Sequence, residues 1–213
     1  MYSLSLKSSF LVAVAALSLA GCAVTAPAPN CTSAATQGAT QEKAQGLNVQ
    51  KVNVVVPRSL STSEANNFIP DADIVWHGQA VGDRHAQVEA ILTRAMSQGA
   101  ADFKTGRAVV ADVELVRFHA VTPLARATVG GRHGLFYTLT LKDAVTGELL
   151  IESKRVNASV HATGGDDADA EIAAGRTQMV VIQESLAQGL SKELARFVAA
   201  QAKSGGALPV CPN

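Results

Sequence analysis

An excess of charge of either sign is the first thing this chain lacks. Among its 213 residues, Lys plus Arg and Asp plus Glu number 18 each, so the formal net charge is zero. That balance leaves no basic footprint for nucleic acid and no polybasic block to grip anionic lipid. Cysteine is scarce too. Cys22, Cys31 and Cys211 stand far apart, none in a CxxC pair, which removes the zinc-ribbon patterns. The five histidines, His77, His85, His119, His133 and His161, fall in separate elements or loops without ligand spacing. No metal and no cofactor is therefore expected. No serine or cysteine sits in a recognisable nucleophile elbow, and neither an internal repeat nor a transmembrane span is visible.

What is present begins with the first twenty residues. They hold one base, Lys7, then an apolar stretch over 10–19 and no acid. This is the layout of a secretory signal peptide, too short and wrongly flanked for a stop-transfer helix. It ends in Leu19-Ala20-Gly21-Cys22, which resembles the lipobox of bacterial lipoproteins. The resemblance implies cleavage before Cys22 and acylation of that cysteine, and two or more acyl chains suffice for a stable anchor. Ala23, rather than Asp, after the cysteine implies the outer membrane by the sorting rule of enteric bacteria. Cys31 and Cys211 then remain as an even pair in an oxidising compartment. A disulfide between them would close a loop of about 180 residues, worth up to roughly 5 kcal/mol by chain entropy.

Residues 23–46 are rich in Ala, Thr, Gln, Pro and Gly. They read as a flexible tether with an r.m.s. reach of about 25–30 Å. The expected organisation is a signal peptide over 1–21, a tether with lipidated Cys22 over 22–47, one domain over 48–203 and a tail over 204–213. Within the domain, Val52, Val54 and Val56 alternate as a half-buried strand that Pro57 stops. Residues 58–73 are polar and turn-rich, with one helical turn expected at 63–67. Ile74 and Trp76 share a face of a short strand. From Asp83 the period changes: Val88, Ile91, Leu92, Ala95 and Met96 make an amphipathic helix ending near Gly99.

Residues 108–119 and 135–142 alternate as strands, joined by a basic loop with Arg126 and Arg132. A turn over 143–147 leads to a further strand reaching about His161. Gly164-Gly165 breaks the chain. Asp166, Asp167, Asp169 and Glu171 then open one long final helix, where negative charge complements the dipole. These acids lack the twelve-residue pattern of a calcium loop. The order β-β-α-β-β-β-α predicts an α+β two-layer sandwich, a mostly antiparallel sheet of about five strands covered by two helices.

The run Gly82-Asp83-Arg84-His85 invites two readings. As chemistry, His85 is a general base, Asp83 its orienter and Arg84 an anion site. As structure, Asp83 caps the helix N-terminus and Gly82 permits the turn before it. Arg84 and His85 then project from a first turn that disfavours cations, so a salt bridge or a contact is expected there. Trp76 reads as a core anchor or, at an exposed edge, a contact residue. Trp76, Asp83, Arg84 and His85 together form the candidate contact surface. Arg117, Arg126 and Arg132 are either solvated or hold a phosphate or glycan carboxylate.

Trp76, Gly82-Asp83-Arg84-His85, Arg117-Phe118-His119, 128–131, Ser63-Glu64-Ala65-Asn66 and Gly175-Arg176-Thr177-Gln178 jointly resemble a family of uncharacterised lipoproteins of Rhodobacter-group alphaproteobacteria. That resemblance implies an envelope location and a shared domain, and no catalytic residue. The expected function is that of a non-enzymatic scaffold or accessory subunit. It would be lipid-anchored at the inner leaflet of the outer membrane, facing the periplasm and docking on an envelope protein, with no nucleic-acid partner. The alternatives are a periplasmic small-ligand or glycan-binding module using Trp76, Arg84 and the arginine loop, and a hydrolase using His85 and Asp83.

Overall fold

The computed structural model describes residues 46–203. Cys22, Cys31 and Cys211, and with them the lipidation and disulfide readings, lie outside these residues. The elements run β1 (Leu47–Val55), β2 (Thr62–Ser63), β3 (Ile74–Val75), α1 (Arg84–Gly99), β4 (Arg107–His119), α2 (Pro123–Arg126), β5 (Gly131–Asp143), β6 (Leu149–Asn157), β7 (Val160–Ala162), α3 (Asp166–Ala173) and α4 (Gln178–Lys203).

The class is α+β, as the patterning indicates, but the sheet is mixed and has seven strands rather than about five. β4 and β5 are its long antiparallel centre, paired from Val109↔Asp143 to His119↔Gly134. β1 lies parallel along the first part of one edge of β4. β3 continues parallel along the same edge, opposite Phe118 and His119, with β2 outboard. On the far side, β6 and β7 share the free edge of β5 in the same end-to-end manner. Parallel neighbours require a crossover, and the chain supplies one between β1 and β4 by way of α1. Hairpin logic applied to consecutive strands does not find it.

One face of the sheet is dry. Val109, Ala111, Val113 and Leu115 of β4 and Leu135, Tyr137, Leu139 and Leu141 of β5 are buried at every second position. They join Val88, Ile91, Leu92, Ala95 and Met96 of α1 and Ile182, Leu186, Leu190 and Leu194 of α4 in one cluster. Full burial of each large member stabilises by about 1.5–3 kcal/mol. The other face is polar. Asp112 there accepts from Asn53 at 2.7 Å and pairs with Lys142 at 2.8 Å.

Three further expectations need correction. The final helix is two helices, because Gly175, at φ +77°, ends α3. Arg176 N–H donates to the Glu171 carbonyl and Gly175 N–H to that of Ile172, the paired bonds of a glycine-terminated helix. Thr177 then restarts the chain as α4, its carbonyl accepting from Val181. The helical turn expected at 63–67 is absent, since Thr62 and Ser63 pair with β3 instead. The basic loop contains α2, capped by Thr122 with Pro123 in its first turn.

Candidate functional site

The end of the sheet where β3 and β4 finish carries Arg117 and His119 on β4, with Trp76 directly after β3 and the Asp83-capped start of α1 following it in the chain. Asp83 caps α1 as expected, its Oδ1 accepting from Ala86 N–H at 3.1 Å. Arg58 Nη1 also donates to both its carboxylate oxygens, at 2.9 and 2.8 Å. Arg58 first, then the Ala86 amide, hold the Asp83 carboxyl below the usual carboxylate range.

Arg84 is not a surface residue. Only 4% exposed, it donates from Nε and Nη2 to the two oxygens of Glu64, at 2.6 and 2.8 Å. Nη1 reaches Gln87 Oε1 at 2.6 Å and the carbonyls of Gln79 and Ala80. The unfavourable first-turn cation is thereby explained. It pairs a buried guanidinium with a half-exposed carboxylate, its fork geometry suiting the two oxygens, and it clamps the 58–64 segment to the helix start.

His85 completes the clamp. Its Nε2 lies 3.0 Å from the Leu60 carbonyl and so donates the ring proton there. Nδ1 stands 4.0 Å from Asp83 Oδ1. An orienting carboxylate accepts from one ring N–H and leaves the other nitrogen free for substrate. Here the N–H is spent on a backbone carbonyl, so the acid–base pair of the hydrolase reading is not assembled.

Trp76 is fully buried, 0% exposed. It meets Phe118 edge to face at 5.8 Å and donates Nε1–H to Gln79 at 2.9 Å. A Trp with no exposed surface cannot be a contact residue, and neither it nor Arg84 presents a surface; of the four residues expected to form one, Asp83 is half-exposed. The expected pocket of Trp76, Arg84 and the arginine loop likewise does not form.

A different groove does form beside it, on the polar face, with a volume of about 450 Å³. Arg117, His119 and Phe136 contribute from β4 and β5, and Gly134 leaves room at its floor. One wall is the 68–69 loop and the other the 129–132 segment, where the α2–β5 turn enters β5. The walls carry large apolar groups in water: Ile69 is 82% exposed, Val129 78% and Phe68 56%.

The walls are fixed. Asn66 Oδ1 accepts from Leu124 N–H and Thr122 Oγ1 donates to the Asn67 carbonyl, both at 2.8 Å. Behind the second wall the chain passes itself backbone to backbone. A Cβ on Gly164 would sit 2.0 Å from Gly130 N, so no side chain fits there.

The polar side chains of the groove are Arg117, His119 and Arg132. Arg117 Nη2 donates to His119 Nδ1 at 2.6 Å, placing the His119 proton on Nε2. Burial first, then the Arg117 charge, pushes the His119 pKa down, so the ring is neutral at pH 7. Arg117 Nε is shut from solvent without an acceptor. Arg132 Nη2 donates to the Ser159 carbonyl at 2.9 Å. Among the described residues neither arginine has a carboxylate within 4.0 Å. Arg126 lies outside the groove and donates weakly to the Ala168 carbonyl, at 3.4 Å.

Sequence reasoning found the arginines and missed the walls. Phe68-Ile69, an apolar pair inside an otherwise polar loop with no period to absorb it, is the signal available. Among the described residues no three His, Cys, Asp or Glu side chains converge as a metal site. No helix there is long and apolar enough to cross a membrane.

Fold and groove together define an α+β domain with a surface cleft. The chain belongs to a family of unknown function, DUF6778, whose model matches residues 47–209. No curated protein matches it. Among solved structures, a Xanthomonas campestris protein of the family DUF330 aligns with a TM-score of 0.45 at 10% identity, over 75% of this chain and 88% of that one. A Caulobacter crescentus protein named a "putative lipoprotein" aligns with a TM-score of 0.37 at 17% identity, over 72% and 91% of the two chains.

Proposed function

We propose that this protein is a non-enzymatic accessory lipoprotein of the cell envelope, acting by binding through the groove between the 68–69 and 129–132 segments. The observation that carries the binding role is the groove itself. It combines exposed Phe68, Ile69 and Val129 with two arginines that have no carboxylate partner among the described residues. Large exposed apolar groups gathered around polar anchors mark interaction sites. Support for the envelope comes from the lipobox-like Leu19-Ala20-Gly21-Cys22 and the tether after it. On this reading Cys22 holds the domain at the inner leaflet of the outer membrane, within about 25–30 Å of the surface.

The two halves of the proposal are tested separately in cells expressing the full chain. Cys22→Ser abolishes palmitate labelling; continued labelling refutes the anchor. A photo-reactive residue at Val129 forms a defined adduct, while one at Val145, exposed on the β5–β6 turn, does not. Equal labelling at the two positions refutes the groove.

A further inference from the structure

We propose that the groove takes a single-chain anionic amphiphile, its head group on Arg117 and Arg132 and its apolar chain against Phe68, Ile69 and Val129. This rests on the groove being the binding site and specifies the chemistry of what enters it. Four observations select that class.

The first is charge. The groove's lining includes two guanidiniums and no acid. Arg117 spends Nη2 on His119 and Arg132 spends Nη2 on Ser159, which leaves Nη1 of each without a partner among the described residues. Guanidinium forks of this kind match carboxylate and phosphate oxygens.

The second is the poverty of neutral hydrogen-bonding groups. Among the described residues no Asn, Gln, Ser or Thr side chain lines the groove, so a glycan, with a hydroxyl on nearly every carbon, would be left with unmade hydrogen bonds. The sugar reading of the arginine loop has little support here.

The third is size. A volume of about 450 Å³ lies in the small-ligand range. A stable protein interface draws on roughly 20–30 residues a side, far more than the groove offers.

The fourth concerns the surroundings. The start of α3 packs beside this end, with Gly165 N–H on the Arg126 carbonyl at 2.9 Å. It carries exposed Asp166, Asp167 and Asp169 in or near its first turn. Three exposed acids on α3, beside this end of the domain, disfavour the approach of a flat anionic bilayer, whereas a single amphiphile meets only the groove's own lining.

The test uses the full-length chain carrying Cys22→Ser, titrated with dodecanoate below its micelle concentration. The expected result is saturable movement of the amide signals of Gly130, Gly131 and Gly134, with binding weakened about tenfold by Arg117→Gln or by Arg132→Gln. Dodecyltrimethylammonium, with the same tail and the opposite charge, gives no saturable response at these glycines. Acetate and inorganic phosphate, with charge and no tail, bind at least tenfold more weakly than dodecanoate. Equal response to the cationic amphiphile, equal binding of acetate or phosphate, or unmoved glycine amides each overturn the proposal. A Val129 adduct to a protein in cells, with no dodecanoate binding in vitro, refutes the amphiphile and keeps the groove as a binding site.

Discussion

His133 makes this fold sensitive to acid in a defined window. The residue lies on β5 with no exposed surface. Its Nδ1 accepts from Val121 N–H at 3.2 Å, so the ring proton sits on Nε2, which is buried with no partner among the described residues. Burial first, then the nearby charge of Arg126, pushes its pKa down from 6.5 to about 4. Above pH 6.5 the ring is neutral in folded and unfolded chains alike and contributes no slope. Between pH 6.5 and 4 the unfolded chain takes up a proton that the folded one refuses, so stability falls as pH falls. Below about 4 both are protonated and the loss is complete. A difference of about 2.5 pKa units at 1.36 kcal/mol each gives about 3 kcal/mol.

Urea unfolding of the chain and of His133→Gln at intervals from pH 7.5 to 4 measures this. Gln keeps an acceptor near the Val121 amide and does not titrate. The parent should lose about 3 kcal/mol more than the variant across the window. His119 shifts in the same direction but is common to both proteins and cancels. Carboxylates with lowered pKa, such as Glu64, Asp73 and Asp112, contribute stability that is lost mainly below pH 4.5. Parallel stability curves for parent and variant would show that burial of His133 carries no protonation penalty and sink the reasoning.

Arg84→Met removes the donor from the Gln79 and Ala80 carbonyls while Glu64, half-exposed, recovers water; a loss of about 2 kcal/mol is expected. Amide exchange at Thr62 and Ser63 should accelerate with it, and unchanged exchange there would mean that the clamp does not hold β2. Gly164→Ala places a methyl 2.0 Å from Gly130 N, backbone that cannot step aside. Thermal unfolding should show a loss of more than about 2 kcal/mol, and a stability equal to the parent's would refute the close crossing.

The elements visible in the sequence were those with local causes. Asp83 before a 3.6-residue apolar period defines α1, and the stripe from Ile182 to Leu194 defines most of α4. The alternation in 108–119 and 135–142 defines β4 and β5. What escaped were relations between distant segments. The parallel placement of β1 and β3 on β4 depends on a crossover that consecutive pairing rules do not generate. Gly175 and Thr177 did carry a stop and a start, but the acidic first turn and the later stripe merged them into one helix. The Arg84 partner, Glu64, lies twenty residues back in a loop without period. The groove draws Ile69 and Val129 from loops sixty residues apart, so neither wall is visible from its own neighbourhood.

The bonds from Asn66 and Asn67 to Leu124 and Thr122 have a consequence for the thermodynamics of occupancy. They set the gap between the walls before anything arrives, so an incoming molecule loses its own freedom without having to order the protein as well. Affinity in such a cleft is governed by fit rather than by folding on contact. Its calorimetric signature is a negative heat-capacity change no larger than burial of the covered apolar area itself produces. An insertion between residues 67 and 70 would widen the gauge of the cleft while leaving the sheet beneath it untouched.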